Sequence, residues 1–285
     1  KMYQFAKKTI KEINFKNYLL LIDNDIYRSF YAVEYLKPIF SIYYRRDNMT
    51  SAFWRKHAPR LEPRLCQKSN LVVANSPQLA KAVQTYNQYS FDIGQGVDLS
   101  NYNTNNSYQL PKDMENIPRP IIGYVGWVTS RRLDANLLYQ VALRCPQYSF
   151  VMVGGEDDFF KKHPLHSLSN VHFLGQKKQI ETISYMSHFD VCMNPQLVNE
   201  ITIGNYPRKV DEYLALGKPV IATKTLTMDL FTGYVWNCLG AEEYIQAINE
   251  ALIPTSSDII KKRIEFAHTH TWENSINKLY SYINI

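Results

Sequence analysis

N-Y-P-R-K-V-D-E-Y-L-A-L-G-K-P-V-I-A-T, residues Asn205 to Thr223, reads as a short helix that feeds directly into a buried strand. Asn205 is placed to cap the first amides and Pro207 suits the first turn, while Gly217 supplies a C-terminal cap and Lys218-Pro219 stops the helix. Val220-Ile221-Ala222 then forms a strand core. A helix N-terminus beside the Lys209 ammonium favours an anion, and the Glu212 carboxylate one turn on can accept hydrogen bonds from sugar hydroxyls. That pairing fits a nucleotide-sugar diphosphate with its ribose. Arg208 or Lys209 paired with Glu212 on a solvated helix face explains the same charges equally well.

Outward from this stretch the chain alternates short apolar runs with helical patterns, which predicts an α/β protein built on parallel sheets. Strands are expected at 18–22, 39–44, 71–74 and 89–93, with helices near 3–13, 52–66 and 77–85. The Asn-, Ser- and Pro-rich stretch 100–120 reads as a linker. A second series follows: strands 120–125, 149–153, 171–174 and 191–194, and helices 134–144 and 178–187. The end is helical over 242–252 and 258–283. The pattern implies two Rossmann-like domains, 1–110 and 111–285, whose ligands bind beyond the carboxyl ends of the strands.

The 285 residues, 45% hydrophobic and 20% charged, suit two cored domains and exclude a fibrous or disordered chain. The net charge of +6 is unevenly distributed: residues 1–110 carry 15 Lys/Arg against 8 Asp/Glu, the rest 17 against 18. A basic first part points to an acidic partner, an anionic membrane surface, a lipid-phosphate substrate or nucleic acid, although an ordinary basic surface carries the same excess. Dispersed basic residues without a recognition motif argue against nucleic acid. The four cysteines form no C-x-x-C pair, the seven histidines show no triad or metal spacing, and no apolar run is long enough to cross a membrane. A reducing, cytoplasmic setting with peripheral membrane contact follows as an expectation.

Several strand ends carry candidate site residues. Gly126 and Trp127 follow the strand 120–125, and Arg131 lies within reach of a phosphate dianion. Gly154 and Gly175 end the next two strands; each could also be an ordinary turn. Asp23-Asn24-Asp25 matches the D-x-D pattern that holds a divalent metal in some sugar transferases, although turn and cap roles are the commoner use of these residues. Asp47 follows the strand 39–44 and could serve as a general base or as a helix cap.

In order, P-I-I-G-Y-V-G-W-V (120–128), L-D-A-N-L-L (133–138), S-F-V-M-V-G-G (149–155), N-V-H-F-L-G (170–175), F-D-V-C-M-N-P (189–195) and P-R-K-V-D-E-Y-L-A-L-G-K-P-V-I-A-T (207–223) resemble the donor domain of GT-B glycosyltransferases of the family 4 and family 1 type. The terminal H-T-W-E-N-S-I-N-K-L-Y (270–280) is similar to the closing helix of these enzymes. S-I-Y-Y-R-R-D (41–47), S-N-L-V-V-A-N-S (69–76) and G-Q-G-V-D-L-S-N-Y (94–102) resemble the end of their acceptor domain. The nearest resemblance is to the branch that makes teichuronic acid and other bacterial surface polysaccharides.

This resemblance implies a GT-B fold, two Rossmann-like domains facing a cleft, with the N-terminal domain incomplete and further strand and helix units before Lys1. It implies a hexosyltransferase that takes a nucleotide-sugar donor, a UDP-sugar by preference, and a glycan or lipid-linked acceptor, without a required metal. The implied donor-binding set is Gly126, Trp127, Arg131, Gly154, Gly175, Tyr206, Arg208, Lys209 and Glu212, with Lys209 facing the diphosphate and Glu212 the ribose. Asp47 and Glu200 are the candidate catalytic residues. The family's first carboxylate of the E-x7-E element falls at Gly204, a departure that leaves Glu200 as the nearest substitute. A non-catalytic nucleotide-sugar-binding subunit, or an epimerase on the same plan, are the alternatives.

Overall fold

The computed structural model describes residues 1–104 and 106–283. The chain divides into two compact units, one comprising Lys1–Gly96 with Gly204–Tyr206 and the segment from Trp272 onward, the other Val97–Ile203 with Pro207–Thr271.

The first unit opens with helix α1 (Met2–Glu12) and continues through β1 (Leu19–Asp23), α2 (Ala32–Leu36), β2 (Phe40–Arg45), α3 (Ala52–Lys68), β3 (Leu71–Ala74), α4 (Pro77–Gln84) and β4 (Ser90–Asp92). Its four strands are all parallel in the order β1-β2-β3-β4. Strand periodicity sorts the core. Tyr43 and Val72 face one side with Ile22, Phe30, Leu65 and Cys66, while Ile42, Tyr44, Leu71 and Val73 face the other with Ile93. Ser51 and Ser76 cap α3 and α4 by accepting from the Trp54 and Leu79 amides. The buried Arg45 guanidinium is matched by Glu62 at 2.7 Å, which also accepts from the Tyr43 hydroxyl.

The second unit contains β5 (Ile121–Val125), α5 (Ala135–Arg144), β6 (Ser149–Val153), β7 (Val171–Phe173), α6 (Gln179–Ser187), β8 (Val191–Asn194), α7 (Arg208–Ala215), β9 (Val220–Thr223), β10 (Trp236–Cys238), α8 (Ala241–Ala251) and α9 (Ser257–His268). The six strands are parallel in the order β10-β9-β8-β5-β6-β7. The order reverses between β5 and β8, which makes the carboxyl ends of these two strands the natural place for a ligand. Asp134 caps α5 through the Leu137 amide, and the core is formed by β5, β6, β8 and the inner faces of α5 and α8. Gly123 is required at the centre of β5, because a Cβ there would lie 2.1 Å from the Phe189 ring. Helix α10 (Trp272–Ser281) closes the chain in the first unit, where Leu279 and Tyr282 pack against the face of β2 and β3 that holds Ile42 and Val73.

The predicted strands fall within about two residues of those observed, and three coincide: Leu71–Ala74, Ser149–Val153 and Val191–Asn194. Three expectations need correction. The continuous helix expected over 258–283 is broken into α9 and α10, since the His270 carbonyl accepts from the Val97 amide and its ring bonds to Asp211. Asn205 does not hold the N-cap position of α7: Pro207 does, and its ring offers no acceptor to the first-turn amides. The one-turn α2 and the three-residue β10 were not foreseen, being too short to show a period. At the other end of α7 the expectation holds, with Gly217 at φ +70° and the Lys218 amide donating to the Tyr213 carbonyl.

No described helix is long and apolar enough to cross a membrane. All four cysteines are buried and free.

Candidate functional site

At the switch point of the second unit, the ends of β5 and β6 press together closely. The Gly126 amide donates to the Val153 carbonyl and the Gly154 amide to the Gly175 carbonyl, both at 2.9 Å, so three strand ends are laced by backbone bonds. A Cβ on Gly154 would sit 1.9 Å from the Gly126 carbonyl oxygen. Gly126 itself has φ +144°, and a Cβ there would lie 2.6 Å from the Lys209 ammonium. The two glycines leave backbone exposed at the point where α7 begins.

Helix α7 is fixed against β5 by its buried face. The Tyr213 hydroxyl, fully buried, accepts from the Val125 amide at 2.9 Å. Asp211, also fully buried, meets His270 Nδ1 at 2.9 Å, with the imidazole edge-on to Phe266. Thus anchored, the first turn carries Lys209 to the end of β5. Its ammonium donates to the Tyr124 hydroxyl at 2.7 Å and lies 4.0 Å from the centre of that ring, a cation–π contact on a buried aromatic. Arg208, beside it, is exposed.

Glu212 is half-buried on the same helix and hydrogen-bonds the Tyr102 hydroxyl. Burial raises its carboxyl above the usual glutamate value, against the opposing pull of Arg208 and Lys209. Burial likewise raises the Tyr102 phenol, with the Glu212 charge adding to the effect. The pair is therefore a donor–acceptor couple in a site that resists charge.

The loops around this helix are organised by two polar hubs. Asp157 accepts from the Thr129 hydroxyl and from both the amide and hydroxyl of Ser130, at 2.8–2.9 Å. Burial alone would raise its carboxyl, but these bonds and one from the Phe160 amide together hold it down at about 2. Asn199 ties the loop after β8 to the loop after β5, donating to the Arg131 carbonyl at 2.9 Å while accepting from the Ile201 and Thr202 amides. The exposed side chains of Arg131 and Glu200 are thereby carried on neighbouring, mutually bonded loops. Trp127 is 54% exposed, and its ring lies 2.5 Å from where a Gly155 Cβ would stand, so glycine there lets the indole settle on the backbone.

Gly126, Trp127, Arg131, Gly154, Gly175, Glu200, Arg208, Lys209 and Glu212 thus all belong to the second unit, at or beside its strand ends. Asp47 and Tyr206 belong to the first unit; Asp47 is exposed just after β2. Gly204, where the family pattern carries a carboxylate, has φ +81°, and its carbonyl accepts from the Ser76 hydroxyl. A side chain in that backbone conformation would be strained. In the D-x-D triplet, Asp25 closes a turn by accepting from the Arg28 amide at 2.9 Å, and Asp23 pairs with Arg46 at 2.8 Å. Among the described residues no group of three or more His, Cys, Asp or Glu is arranged to hold a metal.

Sequence reasoning missed Tyr124, Tyr213, Tyr102, Asp157 and Asn199. Tyr124 left one signal, a polar tip inside an apolar strand, which in a buried position requires a partner.

The family description Glycosyl transferases group 1 matches residues 119–254, the span from β5 to just beyond α8. Residues 119–254 are a glycosyl transferases group 1 domain. The chain is homologous to TuaH of Bacillus subtilis (strain 168), named as a teichuronic acid biosynthesis glycosyltransferase, with 24% identity over 253 residues. That alignment covers 84% of this chain and 63% of TuaH, so the chain spans somewhat under two thirds of that relative's length. Among solved structures, Anabaena Alr3699/HepE in complex with UDP superimposes with a TM-score of 0.73 at 18% identity, over 98% of this chain and 80% of HepE. HepE in complex with UDP-glucose gives the same score over 98% and 82%. The α,α-trehalose 6-phosphate synthase of Burkholderia multivorans gives 0.74 at 9% identity, over 98% and 74%. The glycosyl transferases group 1 domain therefore sits in a chain of GT-B fold, with two parallel sheets in two Rossmann-like units.

Proposed function

We propose that this chain transfers a sugar from a UDP-sugar to a glycan or lipid-linked acceptor in the synthesis of a bacterial surface polysaccharide. The carrying observation is the Lys209 ammonium, held by Tyr124 at the glycine-lined ends of β5 and β6 where α7 begins. An anion there meets a fixed positive charge, a helix N-terminus whose N-cap residue is a proline, and backbone without side chains in the way. The homology to TuaH and the UDP and UDP-glucose bound to HepE support the choice of donor and pathway class.

In this reading the second unit carries the donor. Lys209 and the first-turn amides of α7 face the diphosphate, Glu212 accepts from the ribose hydroxyls, and the exposed Trp127 and the backbone at Gly154 and Gly175 border the nucleotide. Arg131, Arg208 and Glu200 border the phosphates and the sugar. Cationic groups aimed at the leaving diphosphate supply the electrostatic stabilisation of a transition state in which negative charge moves onto that group, and no metal is needed for it. With retention of configuration the leaving phosphate takes the acceptor proton; with inversion Asp47, on the acceptor-side first unit, is the base. The enzyme works in the cytoplasm at the inner face of the membrane, drawn there by the basic first part of the chain.

Calorimetry with UDP and UDP-glucose, followed by an assay for released UDP in the presence and absence of EDTA, tests this. Binding with UDP release that survives EDTA is expected, and Lys209→Ala should weaken UDP binding about tenfold or more, the worth of a charge-assisted bond. Unchanged affinity in Lys209→Ala would remove the assignment. A second reading, a UDP-sugar-binding subunit without turnover, is favoured by Gly204 standing where the family has a carboxylate. Binding without release of UDP under any acceptor tried would select it.

A further inference from the structure

At the end of the sheet opposite the candidate site, a groove of about 700 Å³ opens between the start of β10, the C-terminus of α8 and the first turns of α9. Its volume lies within the range of ordinary small-molecule pockets, about 300–1,000 Å³. Tyr234, Trp236, Ile253, Pro254 and Ile259 give it apolar walls.

The groove is also lined by Arg263, which is only 5% exposed. No carboxylate pairs with this guanidinium among the described residues. Its Nη1 makes one long bond, 3.4 Å to the Gly217 carbonyl, and its Cζ lies 5.7 Å from the centre of the Trp236 ring. Its Nε is buried with no hydrogen-bond partner. Glu250, the acid lining the groove, is already committed: its two oxygens accept from Trp236 Nε1 at 3.0 Å and Gln246 Nε2 at 2.9 Å. A buried cation without a counter-charge is costly, and an arginine cannot escape the cost by losing its proton. Two further features favour negative charge. Lys262 stands exposed at the rim, and the N-terminus of the twelve-residue α9 opens on the groove at Ser256 with no side-chain cap. Asp258, exposed in that first turn, offsets part of this field.

We propose that this groove is a second ligand site, taking an oxyanion, a phosphate or carboxylate, that carries an apolar ring or chain: Arg263 and Lys262 hold the anionic head and the Tyr234–Trp236 and Ile253–Ile259 walls hold the body. Such a ligand brings the guanidinium the counter-charge it lacks and covers apolar surface left open to water. The site is independent of the strand ends where Lys209 lies.

Calorimetry of the intact chain with phenyl phosphate, inorganic phosphate and phenol tests the proposal, repeated on Arg263→Met, Lys262→Ala and Lys209→Ala. Phenyl phosphate should bind more tightly than either fragment, about tenfold more weakly in Arg263→Met, and undiminished in Lys209→Ala. If Arg263→Met does not fold, Ile259→Trp, which fills the groove from its rim, should abolish binding while Lys262→Ala weakens it. Co-sedimentation with vesicles containing phosphatidic acid, lost in the same variants, would identify the ligand as a lipid headgroup rather than a soluble molecule. No binding of phenyl phosphate or of vesicles, binding indifferent to all three groove variants, or binding lost only in Lys209→Ala would each overturn it.

Discussion

The loop after β1 and the loop after β5 both end parallel strands with residues that suggested phosphate or metal chemistry, yet they spend their polar atoms at different range. After β1, Asp25 accepts from the amides of Tyr27 and Arg28, two and three residues on, and from the Ser29 hydroxyl. Such bonds close a local turn and would exist in many folds. At the end of β5, the Tyr124 hydroxyl meets a lysine 85 residues away, and the next amide, that of Val125, meets a tyrosine hydroxyl 88 residues away. Only the complete second unit can assemble that arrangement. Asp25 is satisfied within its own turn and Asp23 and Asn24 by Arg46 at the end of the neighbouring strand, whereas the groups at the end of β5 are positioned by the whole sheet.

Gly154→Ala should break the comparison at its strongest point. Its Cβ must displace the Gly126 backbone carbonyl, which no side-chain rotation can relieve, so a loss of about 2–3 kcal/mol in stability is expected together with loss of UDP binding. Asp25→Ala should cost about 1 kcal/mol or less, the value of a local cap, and leave UDP affinity unchanged. Thermal denaturation and UDP titration of both variants decide the matter. Equal costs would show that the two strand ends are alike.

The same contrast explains what could be read from the chain in advance. Leu71–Ala74 and Val191–Asn194 were legible as strands because every residue in them is buried, so the apolar run and the element coincide. The helices expected from 52, 77 and 134 begin within a residue of those positions, and the caps that fix their starts, Ser51, Ser76 and Asp134, each accept from an amide three residues on. The start of α7 was misread, since Asn205 has the chemistry of a cap but Pro207 takes the place. Lys209 and Glu212 were selected by family pattern; local charge spacing alone fitted a surface ion pair. Tyr124, Tyr213 and Asp157 could not be selected at all, their partners being 85, 88 and about 27 residues distant.

Asp157 sharpens the point on the loop that carries Trp127 and Arg131. Its carboxyl is held at about 2, below the ordinary aspartate value of about 3.9. A depressed folded-state pKa contributes stability that is present above the ordinary value and lost as pH falls toward 2. Asp157→Asn should therefore flatten the acid limb of the stability profile between about pH 4 and pH 2. At neutral pH it should cost about 1–2 kcal/mol, less than the full linkage value because the carboxylate keeps contact with solvent. Melting temperatures of both proteins across that range test it, and parallel curves would deny Asp157 its part. Tyr124→Phe comes next: losing the hydroxyl that accepts from Lys209 while keeping the ring should reduce UDP affinity by about 1 kcal/mol with little change in melting temperature.

Glu212 gives the smallest effect and the sharpest sign. Burial raises its carboxyl above the ordinary glutamate value, so in the folded chain the neutral form persists to higher pH than in the unfolded one. The stability this residue contributes is present below the unfolded value and lost as pH rises through the folded one. On the proposed reading donor binding runs the other way, because the ionised carboxylate accepts from two sugar hydroxyls at once. Between these limits acidification should favour the fold at Glu212 while weakening its hold on the donor, by about 0.5–1 kcal/mol. Glu212→Gln keeps the shape and removes the titration. Its UDP-glucose affinity, followed by calorimetry on the acid side of neutrality, should therefore stay level where that of the natural protein declines. If both decline together, the titrating group lies elsewhere, and the carboxylate one turn inside α7 serves only to meet Tyr102.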